Sequence, residues 1–293
     1  MKLPDFFDAD RAAIEHALDQ LLPAANTAPA SIHEAMRYSV FAGGKRIRPI
    51  LCYQSSRIFS ADSQASIPIG CALEFIHTYS LIHDDLPALD DDDLRRGQPT
   101  CHKKFGEAIA ILAGDGLLTL AFQTLAEAPL DGSLRVRIIG EVAHAAGTVR
   151  GMVGGQVADL EAEGKPVDSS HLEYIHRSKT AALIRASVLS GAVAGGANDA
   201  EAVQVSIYGE NIGWLFQVID DILDVEESST ALGKTAGKDQ AQRKATYPAV
   251  FGLERSRQFA AELATRAVAA LDGFGKRGEN LRQVAEFLLA RRA

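Results

Sequence analysis

The sequence predicts an all-α protein, and three observations support that prediction. Only 6% of the 293 residues are aromatic, while Ala, Leu and Ile are abundant, a composition that favours helix over strand. Apolar residues recur at helical spacing in nearly every long segment, as in Phe75, Tyr79 and Ile82. Alternating patterns bounded by hairpin turns are not found. Because no fixed-period repeat or Pro/Ser-rich linker divides the chain, we expect residues 1–293 to form one domain of ten or more helices.

The elements can be placed from periodicity and capping patterns. Ser31 and Glu34 form a capping-box pattern, which predicts a helix start before the apolar run that follows. Pro87 predicts a break or kink at the end of a long helix. Long helical segments are predicted at 67–86, 104–127, 133–147, 168–195, 199–224 and 254–271. Two polar stretches, 86–103 and 226–247, are predicted as loops, and loops of that length usually serve as lids or binding loops.

Charge and cysteine content exclude several classes of protein. Asp and Glu number 38 against 30 Lys and Arg, for a formal charge of -8, which is opposite to the usual balance of a nucleic-acid binder. Three scattered cysteines are too few for a disulfide framework or a CxxC metal site. The N-terminus has no apolar signal-peptide region, and the most apolar run, 109–121, is interrupted by Asp115. We therefore expect a soluble, cytoplasmic protein with no membrane span.

A dense acidic cluster, the first aspartate motif, follows the long helix that ends near Leu86. Its six members are Asp84, Asp85, Asp90, Asp91, Asp92 and Asp93. Like charges at this density repel and Asp is a poor helix former, so stability gives no reason for the cluster. Binding of a hard divalent cation such as Mg²⁺ does give a reason, because this ion takes oxygen ligands both from carboxylates and from substrate phosphates. An isolated Asp run is more often a solvated acidic loop.

A second acidic motif favours the metal interpretation. Gln217, Asp220, Asp221 and Asp224 are three or four residues apart and therefore share one face of an otherwise apolar helix. Burying several unpaired carboxylates would be very costly, and bound cations remove that cost. One DDxxD motif is weak evidence for a metal site, whereas two such motifs, each followed by a basic loop, are strong evidence.

Basic residues accompany both motifs. The segment 43–49 (GGKRIRP) combines a Gly pair with three cations at a predicted helix start, an arrangement suited to binding an anion. The other candidates are Arg95 and Arg96, Lys179 beside Thr180, Lys234, Lys244 and His77. Any one of these could be a surface ion pair or a half-buried histidine. Together, two acidic motifs with basic loops predict a site for a phosphorylated substrate bridged by metal.

These motifs together resemble those of the trans-isoprenyl diphosphate synthases (trans-prenyltransferases), most closely the bacterial members that form farnesyl diphosphate. The resemblance covers essentially the whole chain and is carried by 43–49, 84–97, 154–156 (GGQ), 179–180, 216–224, 233–234 and Lys244. It implies the isoprenoid synthase fold, a helical bundle around a deep central cavity with the aspartate motifs facing each other at its mouth, and a homodimer. The implied reaction is the Mg²⁺-dependent condensation of isopentenyl diphosphate with dimethylallyl and geranyl diphosphate.

The resemblance also implies roles for individual residues. Three Mg²⁺ would be held by Asp84, Asp90 and Asp220, with Asp85 and Asp224 acting through water. The allylic diphosphate would be bound by Arg95, Lys179, Lys234 and, nearby, Lys244. Isopentenyl diphosphate would be bound without metal by Gly44, Lys45, Arg48, His77 and Arg96. Thr180 and Gln217 would present oxygen dipoles to the allylic cation, and 226–247 would exclude water as a lid.

The length of the product can be argued from helix geometry. Tyr79 lies five residues before Asp84, about 7.5 Å deeper along the helix axis at 1.5 Å per residue. A bulky ring at that depth, with Ser80 beside it, should end the cavity after roughly three isoprene units. Pro87 and Ala88 between the motif's aspartates match the bacterial form, which favours a C15 product. Tyr79 could instead be ordinary core.

Three alternatives stay open at this point. A terpene cyclase shares the helical fold and the first DDxxD, but this chain has a second DDxxD and the 43–49 segment. A catalytically silent partner subunit would usually lack one aspartate motif, and both are intact here. A plain divalent-ion-binding protein would not need Lys45, Arg48, Arg95, Arg96, Lys179 and Lys234. Whether Arg291 and Arg292 close over isopentenyl diphosphate, as basic C-terminal residues do in some relatives, is also open.

Overall fold

The computed structural model describes residues 4–165, 167–230 and 246–291, with only the backbone described at 227–230. The first helices are α1 (Phe6–Leu21), α2 (Ala30–Val40), α3 (Ile47–Ser56), α4 (Ser66–Asp84), α5 (Cys101–Phe105), α6 (Glu107–Glu127) and α7 (Gly132–Ala146). They are followed by α8 (Met152–Ala162), α9 (Ser169–Ile175), α10 (Ala182–Ala194), α11 (Asp199–Thr230), α12 (Tyr247–Phe251), α13 (Leu253–Ala269) and α14 (Glu279–Leu289). The prediction of an all-α bundle with more than ten helices is confirmed. The deep cavity stays a prediction.

Each aspartate motif belongs to a helix with its own core. The helix α4, which leads to the first motif, packs against α3 and α6 in a cluster that includes Leu73, Phe75 and Leu117. The helix α11, which carries the second motif, packs against α10 and α13 in a cluster that includes Tyr208 and Leu215. Side chains of α10 enter both clusters. This helix therefore holds the two halves of the site in one rigid frame.

A π-helical segment, His176–Ala181, joins α9 to α10. It lies within the predicted helix 168–195 and contains Lys179 and Thr180, and π-bulges are rare and concentrate at functional sites. Two glycines allow other helices to approach it. A Cβ on Gly155 of α8 would lie 2.2 Å from the backbone nitrogen of Lys179, and one on Gly213 of α11 would lie 2.5 Å from Cα of Ala181. Only glycine fits at these two crossings.

The polar stretch after the first motif differs from its prediction. It contains a two-stranded antiparallel hairpin, β1 (Leu94–Arg95) and β2 (Gln98–Pro99), so the expectation of no hairpin was wrong here. Arg96 and Gly97 form the turn with φ of 54° and 77°, the left-handed conformation that a two-residue hairpin turn requires. The helix predicted at 104–127 is divided at Gly106 (φ 86°) into α5 and α6.

Two helix ends also differ from their predictions. The capping box of Ser31 and Glu34 is not formed, because α2 already begins at Ala30 and Ser31 lies inside its first turn. The helix α11 continues to Thr230 instead of ending at 224, so the predicted loop begins later than expected. The rest of that loop, 231–245, lies outside the described residues.

The helix α6 is unusual in its composition. In the part of the chain that the structure describes, it is the one helix long and apolar enough to cross a membrane by length and composition alone. Core helices of soluble proteins pass the same test, so this finding is weak evidence for a span. Only 39% of its most apolar window is buried within the chain, which leaves Ile111 and Leu112 exposed.

Candidate active site

The first aspartate motif is built by the chain folding back on the end of α4. The backbone N–H of Asp90 donates to the carbonyl of Asp84 at 2.8 Å, and that of Asp92 donates to the carbonyl of Asp85 at 3.2 Å. These bonds satisfy carbonyls that the helix end would otherwise leave without partners. Burial raises the pKa of Asp84 to about 6, against the opposing effect of the nearby Lys179, and Asp90 raises it further. The two proposed metal ligands of this motif therefore lie close together.

The neighbouring Asp85 already has a cationic partner. Nε of Arg95 donates to both carboxylate oxygens of Asp85 at 2.9 Å, and Asp85 is almost completely buried. The hairpin brings Arg95 into place, because its first strand follows the motif directly. Burial raises the pKa of Asp85 and the bond to Arg95 lowers it. The role predicted for Asp85, acting on the metal through water, stays a prediction.

The second aspartate motif is organised by a chain of hydrogen bonds. The Thr180 hydroxyl donates to Oε1 of Gln217 at 2.8 Å, and Nε2 of Gln217 donates to Oδ1 of Asp221 at 2.9 Å. The other oxygen of Asp221 accepts from the backbone N–H of Tyr247 at 2.8 Å. His176 places Nε2 3.4 Å from that same oxygen. Burial raises the pKa of Asp221 to about 7, and its contacts make it a support of the motif.

Lys179 lies near the first motif, and the next residue, Thr180, contacts the second motif. Nζ of Lys179 is 2.7 Å from Oδ2 of Asp159, and its charge lowers the pKa of Asp84. Asp159 was not predicted from sequence. It is four residues after Gly155 on α8 and therefore on the same helix face, the face that Gly155 presses against the backbone of Lys179. That spacing is the signal that could have identified it.

Asp220, on the adjacent face of α11, has a partner from the far end of the chain. Nη1 of Arg291 is 2.9 Å from Oδ1 of Asp220. Burial raises the pKa of Asp220, while the charges of Arg291, Lys45 and Arg48 lower it. The structure therefore brings Lys45, Arg48 and Arg291 to the second motif. The C-terminal contact with an aspartate was not predicted.

The three cations of the 43–49 segment have different surroundings. Arg46 is fully buried and pairs with Glu15 and Glu74, each at 2.8 Å, so its predicted place in an anion cradle was wrong. Its charge instead holds α1, α3 and α4 together. Among the residues that the structure describes, the buried Nε of Arg48 has no hydrogen-bond partner, which leaves this donor for an incoming anion. Burial lowers the pKa of Lys45, and the charge of Arg291 lowers it further.

Three further residues predicted to bind isopentenyl diphosphate lie near Arg48. Arg96 donates to the carbonyl of Gly43, and a Cβ on Gly44 would lie 2.7 Å from Nη1 of Arg96. His77, which is half-buried, has a pKa well below its ordinary value, because it is largely removed from water and because Arg48 and Arg96 place positive charge near it. A neutral imidazole ringed by guanidinium groups is suited to an anionic ligand.

The predicted chain-length residues lie one to two turns before the first motif. Tyr79 is 7% exposed and its ring meets that of His83 edge-on at 5.7 Å. Asp84 is close enough to raise its pKa, in addition to burial. The hydroxyl of Ser80 donates to the carbonyl of His77 in its own helix. Whether Tyr79 ends a substrate cavity stays a prediction.

Three predicted site residues remain, one from the second aspartate motif and two lysines. Asp224 is exposed on α11, while Lys234 and Lys244 lie outside the described residues. Among the residues that the structure describes, no three His, Cys, Asp or Glu side chains form a group that could hold a metal ion. The hard carboxylate oxygens of the two motifs nevertheless fit Mg²⁺, because that ion is usually held by one or two carboxylates together with water and substrate phosphate.

The fold and the two aspartate motifs together define a trans-prenyltransferase. Residues 29–277 match the model described as polyprenyl synthetase, and the chain belongs to that family.

The relatives differ in their named products. The chain is 51% identical over 268 residues to the "heterodimeric geranylgeranyl pyrophosphate synthase large subunit 1, chloroplastic" of Arabidopsis thaliana, covering 89% of this chain and 71% of the relative. It is 45% identical to a farnesyl diphosphate synthase of Geobacillus stearothermophilus, over 99% and 98% of the two chains. The crystal structure of an FPP/GFPP synthase from Zymomonas mobilis matches with a TM-score of 0.87 at 36% identity, over 97% and 98% of the two chains.

Proposed function

We propose that this prenyltransferase condenses isopentenyl diphosphate with dimethylallyl and then geranyl diphosphate to give (2E,6E)-farnesyl diphosphate and diphosphate. The observation that carries the C15 product is the buried ring of Tyr79, five residues before Asp84 on α4. At about 1.5 Å per residue, the ring lies about 7.5 Å below the first aspartate motif. The near full-length match to a farnesyl diphosphate synthase supports the same product.

A C20 product is the second candidate, because relatives named geranylgeranyl pyrophosphate synthase reach 51% identity. It requires a cavity that continues past Tyr79. The two candidates share the chemistry and differ only in what ends the growing chain.

We propose that Asp84, Asp90 and Asp220 hold three Mg²⁺, with Asp85 and Asp224 acting through water. When bound, Mg²⁺ supplies positive charge to the diphosphate as it departs from the allylic carbon. Lys179 adds a cation from the protein, and Asp159 at 2.7 Å holds its ammonium group in position near Asp84. Preorganised charge of this kind stabilises the transition state without reorganisation during the reaction. Arg95, Lys234 and Lys244 would bind the same diphosphate.

The homoallylic substrate is assigned to the surface around α3. Lys45, Arg48 and Arg96, next to the Gly43–Gly44 backbone, would bind the diphosphate of isopentenyl diphosphate without metal. Neutral His77 would donate a hydrogen bond there. The buried donor of Arg48 supports this assignment, because a buried polar group without a partner costs free energy until a ligand provides one.

Thr180 and Gln217 would stabilise the allylic cation through their oxygen dipoles. Their mutual hydrogen bond at 2.8 Å fixes the orientation of the Gln217 amide, because the amide nitrogen is held by Asp221. No protein base is required if the released diphosphate accepts the proton lost from the product.

We further propose a cytoplasmic homodimer that is formed through α6. Ile111 and Leu112 are 44% and 51% exposed on this helix, and Val136 on the adjacent α7 is also exposed. Apolar patches of this kind mark interaction surfaces. Leu112→Glu should convert the dimer to a monomer in size-exclusion chromatography with light scattering. Val203→Glu, a change at a valine of α11 that is 55% exposed, should leave the dimer intact.

The proposed product is tested by chain-length analysis with Mg²⁺, isopentenyl diphosphate and either dimethylallyl or geranyl diphosphate. The wild-type chain should release C15, and Tyr79→Ala should release longer products. Tyr174→Ala, at an exposed tyrosine on α9, should leave the product length unchanged. C20 from the wild type would leave the chemistry intact and reject the role of Tyr79. If neither primer is condensed although diphosphate binds with Mg²⁺, the chain is a silent partner subunit.

A further inference from the structure

Arg291 forms an ion pair with the carboxylate of Asp220 in this structure. Its Nη1 is 2.9 Å from Oδ1 of Asp220, although the two residues are 71 positions apart. The guanidinium also lies over the ring of Phe216, 5.5 Å from its centroid. Phe216 and Asp220 are four residues apart on α11 and therefore share one face. Two side chains of that face thus hold the same guanidinium.

The position of Arg291 is set by the preceding helix. α14 ends at Leu289, and the backbone N–H of Arg291 donates to the carbonyl of Leu288. This bond continues the helical turn by two residues and directs the side chain toward α11. Leu288 and Phe287 of α14 are buried in the same core cluster as α11, so the helix that carries Arg291 is itself held in place.

The surroundings favour a cation at Asp220. The Asp220 side chain is 34% exposed, and a half-buried carboxylate without a compensating charge is costly. Arg291 provides that charge here, and Lys45 lies close enough for its pKa to respond to both Arg291 and Asp220. A divalent ion at Asp220 would compensate the same carboxylate. Arg291 and the ion would then compete for one oxygen and would repel each other.

We propose that Arg291 is the resting counter-ion of Asp220 and that a divalent cation binds there only after displacing it. This inference rests on the proposed role of Asp220 as a magnesium ligand. The C-terminal turn then reports whether the second aspartate motif is loaded. Because the two cations exclude each other, removing the guanidinium must tighten cation binding by the inverse of the fraction of chains in which Asp220 is free of Arg291.

The test is the binding of Mn²⁺ to the full-length chain, measured from the electron paramagnetic resonance signal of the free ion. Arg291→Gln should lower the dissociation constant of the site that Asp220→Asn removes. A partly exposed ion pair is weak, so we expect a change of about two- to fivefold. Arg291→Lys should fall between the wild type and Arg291→Gln, because it keeps the charge and loses the planar contact with Phe216.

The control is Arg266→Gln, which removes the same charge from a surface ion pair on α13 and should leave Mn²⁺ binding unchanged. If Asp220→Asn removes a site and Arg291→Gln leaves its affinity unchanged, the competition is rejected while the proposed metal ligand stands. If Asp220→Asn changes no Mn²⁺ binding, both the ligand assignment and the competition are rejected.

A second measurement follows the release of Arg291 from Asp220. In hydrogen–deuterium exchange, Mn²⁺ should accelerate exchange in a peptide covering the end of α14, which contains the Arg291 amide. Asp220→Asn should exchange faster than the wild type in this peptide even without metal, and addition of Mn²⁺ should not change its exchange further. Unchanged exchange in the wild type on addition of Mn²⁺ would overturn the proposal, even if the Arg291 variant binds Mn²⁺ more tightly.

Discussion

The two aspartate motifs carry similar sequences and are built in opposite ways. The first takes its cationic partner from the same stretch of chain. Arg95 is ten residues after Asp85, and it lies in the first strand of the short hairpin that follows the motif. The second takes its partners from distant segments, with Thr180 reaching Gln217 across 37 residues and Arg291 reaching Asp220 across 71. Local chain geometry therefore suffices to pair Asp85 with its cation, while the pairs of the second motif depend on how helices pack.

The exposure of the carboxylates follows the same division. The side chain of Asp85 is 4% exposed beneath Arg95, whereas that of Asp220 is 34% exposed beneath Arg291. A buried pair is costly to break, because one partner is left uncompensated, and an exposed pair is weak. We infer that the first motif is a fixed assembly and that the second is open to exchange of its partner.

The largest effect is expected from the proposed metal ligands themselves. Asp84→Asn and Asp220→Asn should each lower kcat by about 10²–10³-fold, the usual loss when one group that stabilises transition-state charge is removed. Asp91→Asn is the control, because Asp91 is exposed and has a φ of 47° that Asn tolerates. Steady-state turnover with saturating Mg²⁺ measures all three. Full activity in either ligand variant would show that the two motifs are not equivalent in catalysis.

The next effect tests the packing behind each motif. Gly155→Ala should lower the free energy of unfolding by about 2–3 kcal/mol, because the new Cβ meets the backbone of Lys179 at 2.2 Å. Gly114→Ala, which meets the His83 ring behind the first motif, should cost less because a side chain can move. Gly140→Ala is unobstructed on the exposed face of α7 and should stabilise by up to about 1 kcal/mol. Urea unfolding measures all three.

A smaller effect is expected from breaking the local ion pair of the first motif. Arg95→Gln should destabilise the chain by about 1–2 kcal/mol, because Asp85 is left buried without its bidentate partner. Asp85→Asn combined with Arg95→Gln should recover part of that loss, since the uncompensated charge is gone. Thermal and urea unfolding of the single and double variants measure the coupling. Equal losses in the single and double variants would mean that Arg95 acts through packing alone.

The smallest effect concerns the hydrogen bond that joins the π-helical segment to α11. Thr180→Val should cost about 1 kcal/mol, seen as roughly a fivefold lower kcat with little change in KM. Thr180→Ser keeps the hydroxyl that donates to Gln217 and should retain most of the activity. If the serine variant loses as much as the valine variant, the Thr180 methyl group matters rather than its hydroxyl.

The sequence predictions succeeded for features set by neighbouring residues and failed mostly for contacts between distant residues. The long helices that lead to the two motifs follow from local patterns and agree with the structure, while the roles of the motif residues stay predictions. Arg46 was misassigned, because nothing near it in the chain shows that Glu15 and Glu74 enclose it. Asp159 was missed because its partner Lys179 is 20 residues away on another element. The hairpin at Arg96–Gly97 was missed because its strands are only two residues each.

The amino-acid sequence alone determined the all-α class, the positions of the long helices and the two acidic motifs, because helical periodicity and repulsion between neighbouring carboxylates are local properties. It did not determine which cation meets which carboxylate. Those pairings arise where α8, α11 and α14 bring distant residues together, and glycine at 155 and 213 sets how closely the helices approach. Charge partners depend on distance in space, which the order of residues along the chain does not contain.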